Sequence, residues 1–364
     1  MRVLVDASVL HQPSAGMAKV LTGLYRACVA LEPTLDVRLL HRVPLQTAVP
    51  PGTHAVRRGS FLRPGPWHEW MVPLAALGAD VVHFPANGNI PRLWKRKPVV
   101  MTLHDVLPLM IPNFFANEKL RAHYTALVQR DLDRTDLLMT DSIFSREQIL
   151  RHFKTRNEPH VVYPAVDLEE VTRDSASSEM VIYEGYFVYV GGYHARKGLP
   201  ELLKVFSELR RENKISARLI LAGSSYPISP EFDRLLAEGK LAGWVEERGY
   251  VNETELGQLY RGALALIYPS RYEGFGLPPL EAMTMECPVL TTGQTSLREV
   301  CGEAALYADP SDAAFAESII ALEKQPILRR DLRMRGLGQS EKFTWNKSAH
   351  RYLELLHGMV KPKR

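Results

Sequence analysis

The sequence predicts an α/β protein built from two consecutive parallel-sheet domains and a helical tail. Three observations carry that prediction. The chain has 364 residues, beyond the length at which a single hydrophobic core stops growing. Short apolar runs alternate with longer segments of helical period, the signature of a parallel sheet covered by helices. The alternation breaks once, over residues 167–184 (DLEEVTRDSASSEMVIYE), where Ser, Asp and Glu accumulate, and then restarts. The boundary is placed there, giving a first domain over residues 1–170, a second over 171–344, and a C-terminal helix over 345–364 expected to pack back on the first domain.

Taken in order, residues 3–5 read as a buried strand and 18–31 as an amphipathic helix. DVVHF (80–84) and VVMTL (99–103) read as strands, 116–132 as a helix, 137–140 as a strand and 145–153 as a helix. RPGPWHEWMVPL (63–74) reads as a loop and helix start of a kind that shapes an acceptor pocket. After the boundary, FVYV (187–190) is a strand and 199–212 a helix; 219–221 is a strand, 230–238 a helix, 245–250 a short strand and 254–261 a helix. The series closes with a strand at 263–268, a helix start at 279–284 and a strand at 289–291. No internal repeat or low-complexity tract interrupts it.

Composition excludes several classes. Hydrophobic residues make up 46% and charged residues 24%, the balance of an ordinary globular protein rather than a disordered one. A net charge of +4 is too small to indicate a nucleic-acid partner, but it suits anionic ligands or an anionic membrane surface. Three widely separated cysteines, Cys28, Cys287 and Cys301, form neither a disulfide framework nor a CxxC metal pattern, as expected in a reducing cytoplasm. The opening MRVLVDASVL lacks signal-peptide anatomy, and no stretch has the length and apolarity of a spanning helix.

Two segments carry chemistry. RYEGFGLPPLEAM (271–283) follows a strand, so its glycine-rich loop lies where open parallel sheets bind ligands. Gly274 and Gly276 leave backbone amides approachable, and the prolines suit a helix first turn, whose N-terminus attracts anions. Glu273 and Glu281 bracket this spacer. Glu281 alone also suits a simple helix-dipole role in the first turn. VGGYHARKG (190–198) again sits between strand and helix, placing Arg196 and Lys197 at the sheet's mouth. Read alone it is equally a solvated basic loop. Neither a Walker A loop nor a GxGxxG dinucleotide fingerprint is present. Of His104, His83, His11 and His194, His104, at a strand end within LHD, has the strongest functional case, and the others equally suit packing.

RYEGFGLPPLEAM resembles the E-x7-E motif of the retaining glycosyltransferases of the GT4 family, bacterial mannosyltransferases among them. Further stretches resemble the same family along nearly the whole chain: YVGGYHARKGLPELLKVF, VEERGYVNETELGQLYRGALALIYPS, VVMTLHDVLPLMIPNFF, TDSIFSREQIL, HVVYPAVDL and EKFTWNKSAHRYLELL. The resemblance implies the GT-B fold, two Rossmann-like domains facing each other across a cleft. It implies that Glu281 bonds the nucleotide ribose and Glu273 the donor sugar. It implies that the amides of Gly274, Phe275, Gly276 and Leu277 hold sugar and diphosphate, and that Arg196 and Lys197 neutralise the diphosphate. His104, with Asp105 beside it, would reach the donor sugar from the first domain, and Gly16 would lie near the diphosphate or the acceptor.

The chain departs from the family pattern in places. GMAKV stands where GIGRY is common, with Lys19 in place of Arg; Glu286 stands for a usual Gly and Arg298 for a usual Pro; Gly192 stands where some relatives carry Arg. The implied reaction moves a hexose or deoxyhexose, mannose from GDP-mannose by family habit, onto a glycan or lipid-linked glycan acceptor in cell-surface polysaccharide or lipopolysaccharide synthesis. Retention would follow from front-face attack with the β-phosphate taking the acceptor proton. No metal or other cofactor is expected, since there is no cluster of His, Cys and carboxylates at ligand spacing. The expected location is cytoplasmic, peripheral on the inner face of the cytoplasmic membrane, with RLWKRKP (92–98) as a candidate contact. Two readings compete: a sugar-nucleotide epimerase of the same fold, and a degenerate, non-catalytic binding subunit.

Overall fold

The computed structural model describes residues 1–11, 16–92, 97–166, 185–224 and 230–360. The chain divides into two compact units, Met1–Ala165 with Phe343–Arg364, and Val166–Lys342. The first is built on a seven-stranded sheet of β1 (Arg2–Asp6), β2 (Asp36–His41), β3 (His54–Arg57), β4 (Val81–Phe84), β5 (Val99–Thr102), β6 (Leu137–Thr140) and β7 (His160–Val161). Their spatial order is β3-β2-β1-β4-β5-β6-β7, every pairing parallel. Parallel strands demand crossovers, which are the helices α1 (Gly16–Leu31), α2 (Pro64–Ala76), the short α3 (Leu107–Met110), α4 (Glu118–Leu132) and α5 (Ile143–His152). The sheet is covered on both faces, and the central β1, β4, β5 and β6 are almost wholly buried.

The second unit repeats the plan with six strands: β8 (Tyr186–Val190), β9 (Arg218–Ala222), β10 (Val245–Gly249), β11 (Ala265–Tyr268), β12 (Val289–Thr291) and β13 (Ala305–Tyr307). Their order is β10-β9-β8-β11-β12-β13, again all parallel. Its helices are α6 (Leu199–Arg211), α7 (Pro230–Leu241), α8 (Glu253–Gly262), α9 (Leu277–Thr284), α10 (Leu297–Cys301), α11 (Ala313–Lys324) and α12 (Pro326–Ser340). The expected α/β class with two parallel-sheet halves is what the chain adopts.

The last helix, α13 (Trp345–Val360), packs on α1 of the first unit. Ala349, Tyr352, Leu353 and Leu356 recur at helical spacing on one face and meet Leu21, Leu24, Tyr25 and Cys28, spaced the same way on α1. Each fully buried leucine contributes about 1.5–3 kcal/mol relative to exposure. Gly23 lets the helices approach, because a Cβ there would collide with the Trp345 indole. The Tyr25 and Tyr352 hydroxyls lie 2.7 Å apart, and Tyr25 is also 2.7 Å from His83 Nδ1, whose Nε2 meets Thr102 Oγ1 at 2.8 Å. Burial, then the neighbouring His104 charge, pushes His83 down to about 3, so it is a neutral core histidine.

Several elements differ from their sequence reading. Residues 64–74 belong to a complete helix, α2, with prolines in its first turn, rather than a loop with a helix start. Ser142 Oγ accepts from Ser145 N at 3.0 Å, so α5 starts before residue 145; Asn117 caps α4 through Leu120 N at 3.0 Å. Strands β2, β3, β7 and β13 join the sheets as well.

Candidate active site

In an open parallel sheet the loops after adjacent strands diverge where the strand order reverses, leaving a crevice. In the second unit that point lies between β8 and β11. The loops leaving these two strands are the two segments singled out above, residues 191–198 and 269–276. Their approach depends on glycine. Gly198 has φ +68°, and a Cβ there would run into the Pro269 carbonyl oxygen; Gly191 and Gly223 have φ +144° and +143°, and a Cβ on Gly223 would strike the Gly191 backbone.

Glu273 is the centre of this crevice. It is buried, and its Oε1 collects four donors: Tyr268 OH at 2.8 Å, Ser270 Oγ at 2.7 Å, Lys197 Nζ at 3.0 Å and Arg196 Nη1 at 3.2 Å. Among the described residues no hydrogen bond reaches Oε2. Burial alone would raise the Glu273 carboxyl, but Lys197, Arg196 and the Ser270 hydroxyl outweigh it and hold the pKa down at about 2. Lys197, its side chain only 11% exposed, is lowered from its ordinary value because desolvation outweighs the pull of Glu273. The two shifts oppose each other within one cluster. Four donors converging on a single oxygen favour an ionised Glu273. Lys197 Nζ also donates to Tyr268 OH at 2.7 Å, and Arg196 Nη1 to the Tyr272 carbonyl at 2.7 Å.

The loop beyond Glu273 is pinned from the next crossover. Thr295 Oγ1 accepts from Glu273 N at 3.2 Å, and Ser296 Oγ lies 2.9 and 2.7 Å from the carbonyl oxygens of Glu273 and Phe275. Thr295 holds φ +54°, costly for a β-branched residue, and such strain concentrates at functional sites. Gly276 has φ +117° and caps α9, where a Cβ would press on Leu297 Cδ2 at 2.9 Å. Phe275 is buried and Gly274 precedes it on the loop, while Leu277 opens the helix. Glu281 is the fifth residue of α9, beyond the first turn, and Tyr260 OH donates to its Oε2 at 3.1 Å. The first-turn dipole reading of Glu281 is therefore corrected, since that effect fades within a turn.

The first unit contributes a second cluster at the carboxyl rim of its own sheet. His104 is buried after β5, with Nδ1 2.7 Å from Asp141 Oδ2 and Nε2 2.8 Å from the Pro85 carbonyl. Burial lowers its pKa, but Asp141 and then Pro85 raise it more, to about 8, so both ring nitrogens act as donors at neutral pH. Its backbone N donates to Asn87 Oδ1 at 2.8 Å, from a loop in which Asn87, Gly88 and Asn89 all have positive φ. Asp105 Oδ1 accepts from Leu107 N at 3.0 Å at the start of α3. Gly16 is the exposed first residue of α1.

The structure thus brings Arg196, Lys197, Glu273, Gly274, Phe275, Gly276, Leu277 and Glu281 to one sheet end, and places His104 and Gly16 in the other unit. Sequence reasoning passed over Tyr268, Ser270, Thr295, Ser296 and Tyr260. Tyr268 ends the strand before the glutamate loop and Ser270 lies at the start of that loop, positions that were available as a signal. Of the basic stretch 92–97, Trp94, Lys95 and Arg96 lie outside the described residues, and Arg92 N donates to Glu69 Oε2 at 2.7 Å. The three cysteines are free and buried. Among the described residues no helix is long and apolar enough to cross a membrane.

Residues 174–338 match the family described as glycosyl transferases group 1, and residues 16–170 match glycosyltransferase family 4. The O-antigen chain mannosyltransferase B of Escherichia coli is 32% identical over 274 residues, 73% of this chain and 71% of its own length. The O-antigen chain mannosyltransferase RfbU of Salmonella typhimurium is 26% identical over 270 residues, 72% of this chain and 71% of its own. Among solved structures, a sucrose-phosphate synthase from Thermosynechococcus elongatus superposes over 100% of both chains with a TM-score of 0.77 at 18% identity. WaaG, a glycosyltransferase involved in lipopolysaccharide biosynthesis, covers 98% of this chain and 100% of its own, with a TM-score of 0.74 at 15% identity. Both are GT-B folds, the expected architecture. On the matches along both halves and the 32% identity to a mannosyltransferase, this protein belongs to glycosyltransferase family 4 and is a glycosyltransferase.

Proposed function

We propose that the protein transfers mannose from GDP-mannose, with retention of anomeric configuration, to a lipid-linked glycan during O-antigen or related surface-polysaccharide synthesis. The arrangement of Glu273 carries this reading. An ionised carboxylate with one oxygen saturated by four donors and the other without a partner among the described residues is open to further donors at that second oxygen, from solvent or from the hydroxyls of a ligand. Beside it, Arg196 and Lys197 provide positive charge. Pro278 and Pro279 carry no N–H, so the amides of Gly276 and Leu277 are what the start of α9 offers an anion, with Gly274 and Phe275 on the approach. That combination suits a sugar hydroxyl against Glu273 and a diphosphate against the cations and amides. The mannosyltransferase relatives support the choice of sugar.

In the proposed reaction the acceptor oxygen bonds to the anomeric carbon as the bond to the β-phosphate oxygen breaks. The acceptor proton passes to that phosphate. Charge grows on the leaving diphosphate, and fixed donors aimed at it in a site closed to water lower the barrier without reorganising. Arg196, Lys197 and the loop amides are assigned that task, with no metal required by it. Glu281, held by Tyr260, is assigned to the ribose. His104 contributes fixed positive charge at the rim of the first unit; donation to a donor sugar requires Nε2 to exchange the Pro85 carbonyl for a ligand oxygen. Gly16, at the N-terminal end of α1, is assigned to the diphosphate or acceptor. The acceptor's lipid places the protein at the inner face of the cytoplasmic membrane.

The test is nucleotide release from a panel of nucleotide sugars, with and without acceptor, followed by linkage analysis of the product. GDP release that depends on acceptor and yields an α-linked mannoside is expected. Glu281→Ala should lower kcat/KM by about 10²-fold or more. A loss of only a few-fold would remove Glu281 from the donor site, and release from UDP-sugars alone would replace the donor.

A further inference from the structure

We propose that Asp131 is a positioning residue: it holds the loop after β4 in a left-handed path, and through that loop it sets the His104 ring. Asp131 lies in the last turn of α4 and is 3% exposed. Neither property favours a carboxylate there. A helix C-terminus repels negative charge, and burial strips the group of water. Its two oxygens have different partners. Oδ2 accepts from the backbone N–H groups of Asn89 at 2.7 Å and Ile90 at 3.2 Å. Oδ1 accepts from Arg130 Nε at 2.9 Å and Nη2 at 2.7 Å. The Arg130 guanidinium also reaches the Ile90 carbonyl at 3.3 Å, and Arg134 Nη1 donates to the Pro91 carbonyl at 3.0 Å. The end of α4 thus grips the loop through both its N–H groups and its carbonyls.

That loop is strained. Asn87, Gly88 and Asn89 follow one another at φ +57°, +102° and +70°. L-residues enter this region one at a time, so a run of three needs support from outside the loop. A Cβ on Gly88 would stand 2.8 Å from Asp131 Oδ2, so only glycine lets the carboxylate come this close. The loop leaves β4 where the strand order of the first unit reverses, between β1 and β4, the position at which open parallel sheets bind ligands. Strain retained at such a point by a buried acid marks a loop whose geometry matters to a ligand.

The start of the same loop holds His104. Asn87 N donates to the Thr102 carbonyl at 3.0 Å, and Asn87 Oδ1 accepts from His104 N at 2.8 Å. The Pro85 carbonyl accepts from His104 Nε2 at 2.8 Å. Asp141, just past β6, holds the other ring nitrogen, so the loop decides what Nε2 meets. Asp141, Asp105 and the neutral His83 are the titratable neighbours that act on the ring. Asp131 bonds the loop two residues beyond Asn87 and acts on the ring through it. This deepens the proposed function and rests on its assignment of His104 to the donor sugar, since Nε2 must leave the Pro85 carbonyl to donate there.

The test compares three variants of the full chain. Asp131→Asn keeps the shape but sets an amide between Arg130 and the loop. Gly88→Ala forces the loop away from an intact Asp131. Gly23→Ala strains the same unit elsewhere, at the contact of α1 with α13. The His104 ring resonances are followed across pH without any nucleotide sugar, and kcat and KM are measured on GDP-mannose with acceptor. Asp131→Asn and Gly88→Ala are expected to bring the His104 midpoint down from about 8 toward the ordinary 6.5, as the bond to Pro85 loosens. Both are expected to lower kcat by about ten- to a hundredfold, with KM for the donor changed by less than about threefold. Gly23→Ala is expected to keep the wild-type midpoint and kcat below its unfolding temperature, which separates positioning from stability. Should Asp131→Asn fail to fold, Gly88→Ala carries the test. A His104 midpoint unchanged in both loop variants overturns the proposal, and so does an equal change in Gly23→Ala. A shifted midpoint with undiminished kcat supports the hold on His104 while removing His104 from the donor sugar. A shifted midpoint with no wild-type turnover on any nucleotide sugar supports it while sinking the transferase reading.

Discussion

Glu273 is a buried charge whose ionisation depends on Arg196 and Lys197, and that dependence has measurable consequences. Removing one partner from such a cluster leaves an uncompensated charge, so Lys197→Met should destabilise the second unit by about 3–5 kcal/mol, while Lys197→Met/Glu273→Gln together should cost less than the sum. Urea unfolding of the singles and the double checks this. Because the folded pKa lies below the ordinary 4.5, at about 2, the stabilisation is present above 4.5 and lost as pH falls toward 2. Glu273→Gln should remove that part of the acid profile. His104 has the opposite sign. Its folded pKa of about 8 lies above 6.5, so its contribution is complete below 6.5 and disappears as pH rises through 8. Asp141→Asn should flatten stability across that window, and the His104 ring resonances should titrate nearer their ordinary value. Glu286 occupies a left-handed position, φ +56°, where the family usually has glycine. Glu286→Gly should therefore stabilise by about 1 kcal/mol, read as a rise of roughly 2–4 °C in Tm. Arg298, in place of a usual proline, starts no irregular turn; it lies in α10 and stacks over the Tyr307 ring at 4.3 Å.

The elements show why these residues meet. Each of the two segments proposed to hold the donor is a loop after a parallel strand, and each is followed by a helix that begins with a left-handed glycine, Gly198 before α6 and Gly276 before α9. The pairing of α1 with α13 is the comparable device in the first unit. Gly23→Ala should force the Trp345 indole outward and cost about 1–3 kcal/mol, the usual price of overpacking, with the loss seen in thermal unfolding of the intact chain.

At the scale of the molecule the described residues form separate apolar clusters, one in the second unit and one against each face of the first unit's sheet, and the chain crosses between units twice. A ligand bound only by the folded second unit stabilises it by mass action, about 2.7 kcal/mol at a hundred times its Kd. GDP should therefore raise the temperature of the transition that belongs to that unit, and UDP should not. Calorimetry with each nucleotide in turn checks the assignment of base without requiring an acceptor.

The alternation of apolar runs with helical periods determined the α/β class, because strands buried on both faces and their crossover helices leave unlike local patterns. Glu273, Arg196 and Lys197 were legible too, since glycine-rich loops between strand and helix are a local feature. Strand β3, with mostly exposed residues, and β7, with two residues, carry too little burial to announce themselves locally. Only the tertiary structure decided that Tyr268, Ser270, Thr295 and Ser296 complete the glutamate cluster, that His104 is an imidazolium clamped by Asp141 and Pro85, and that Trp67 faces the core while Trp70 faces out. Those are outcomes of strand order and of which side of a helix meets the sheet. They depend on contacts between residues far apart in the chain, and no local periodicity encodes them.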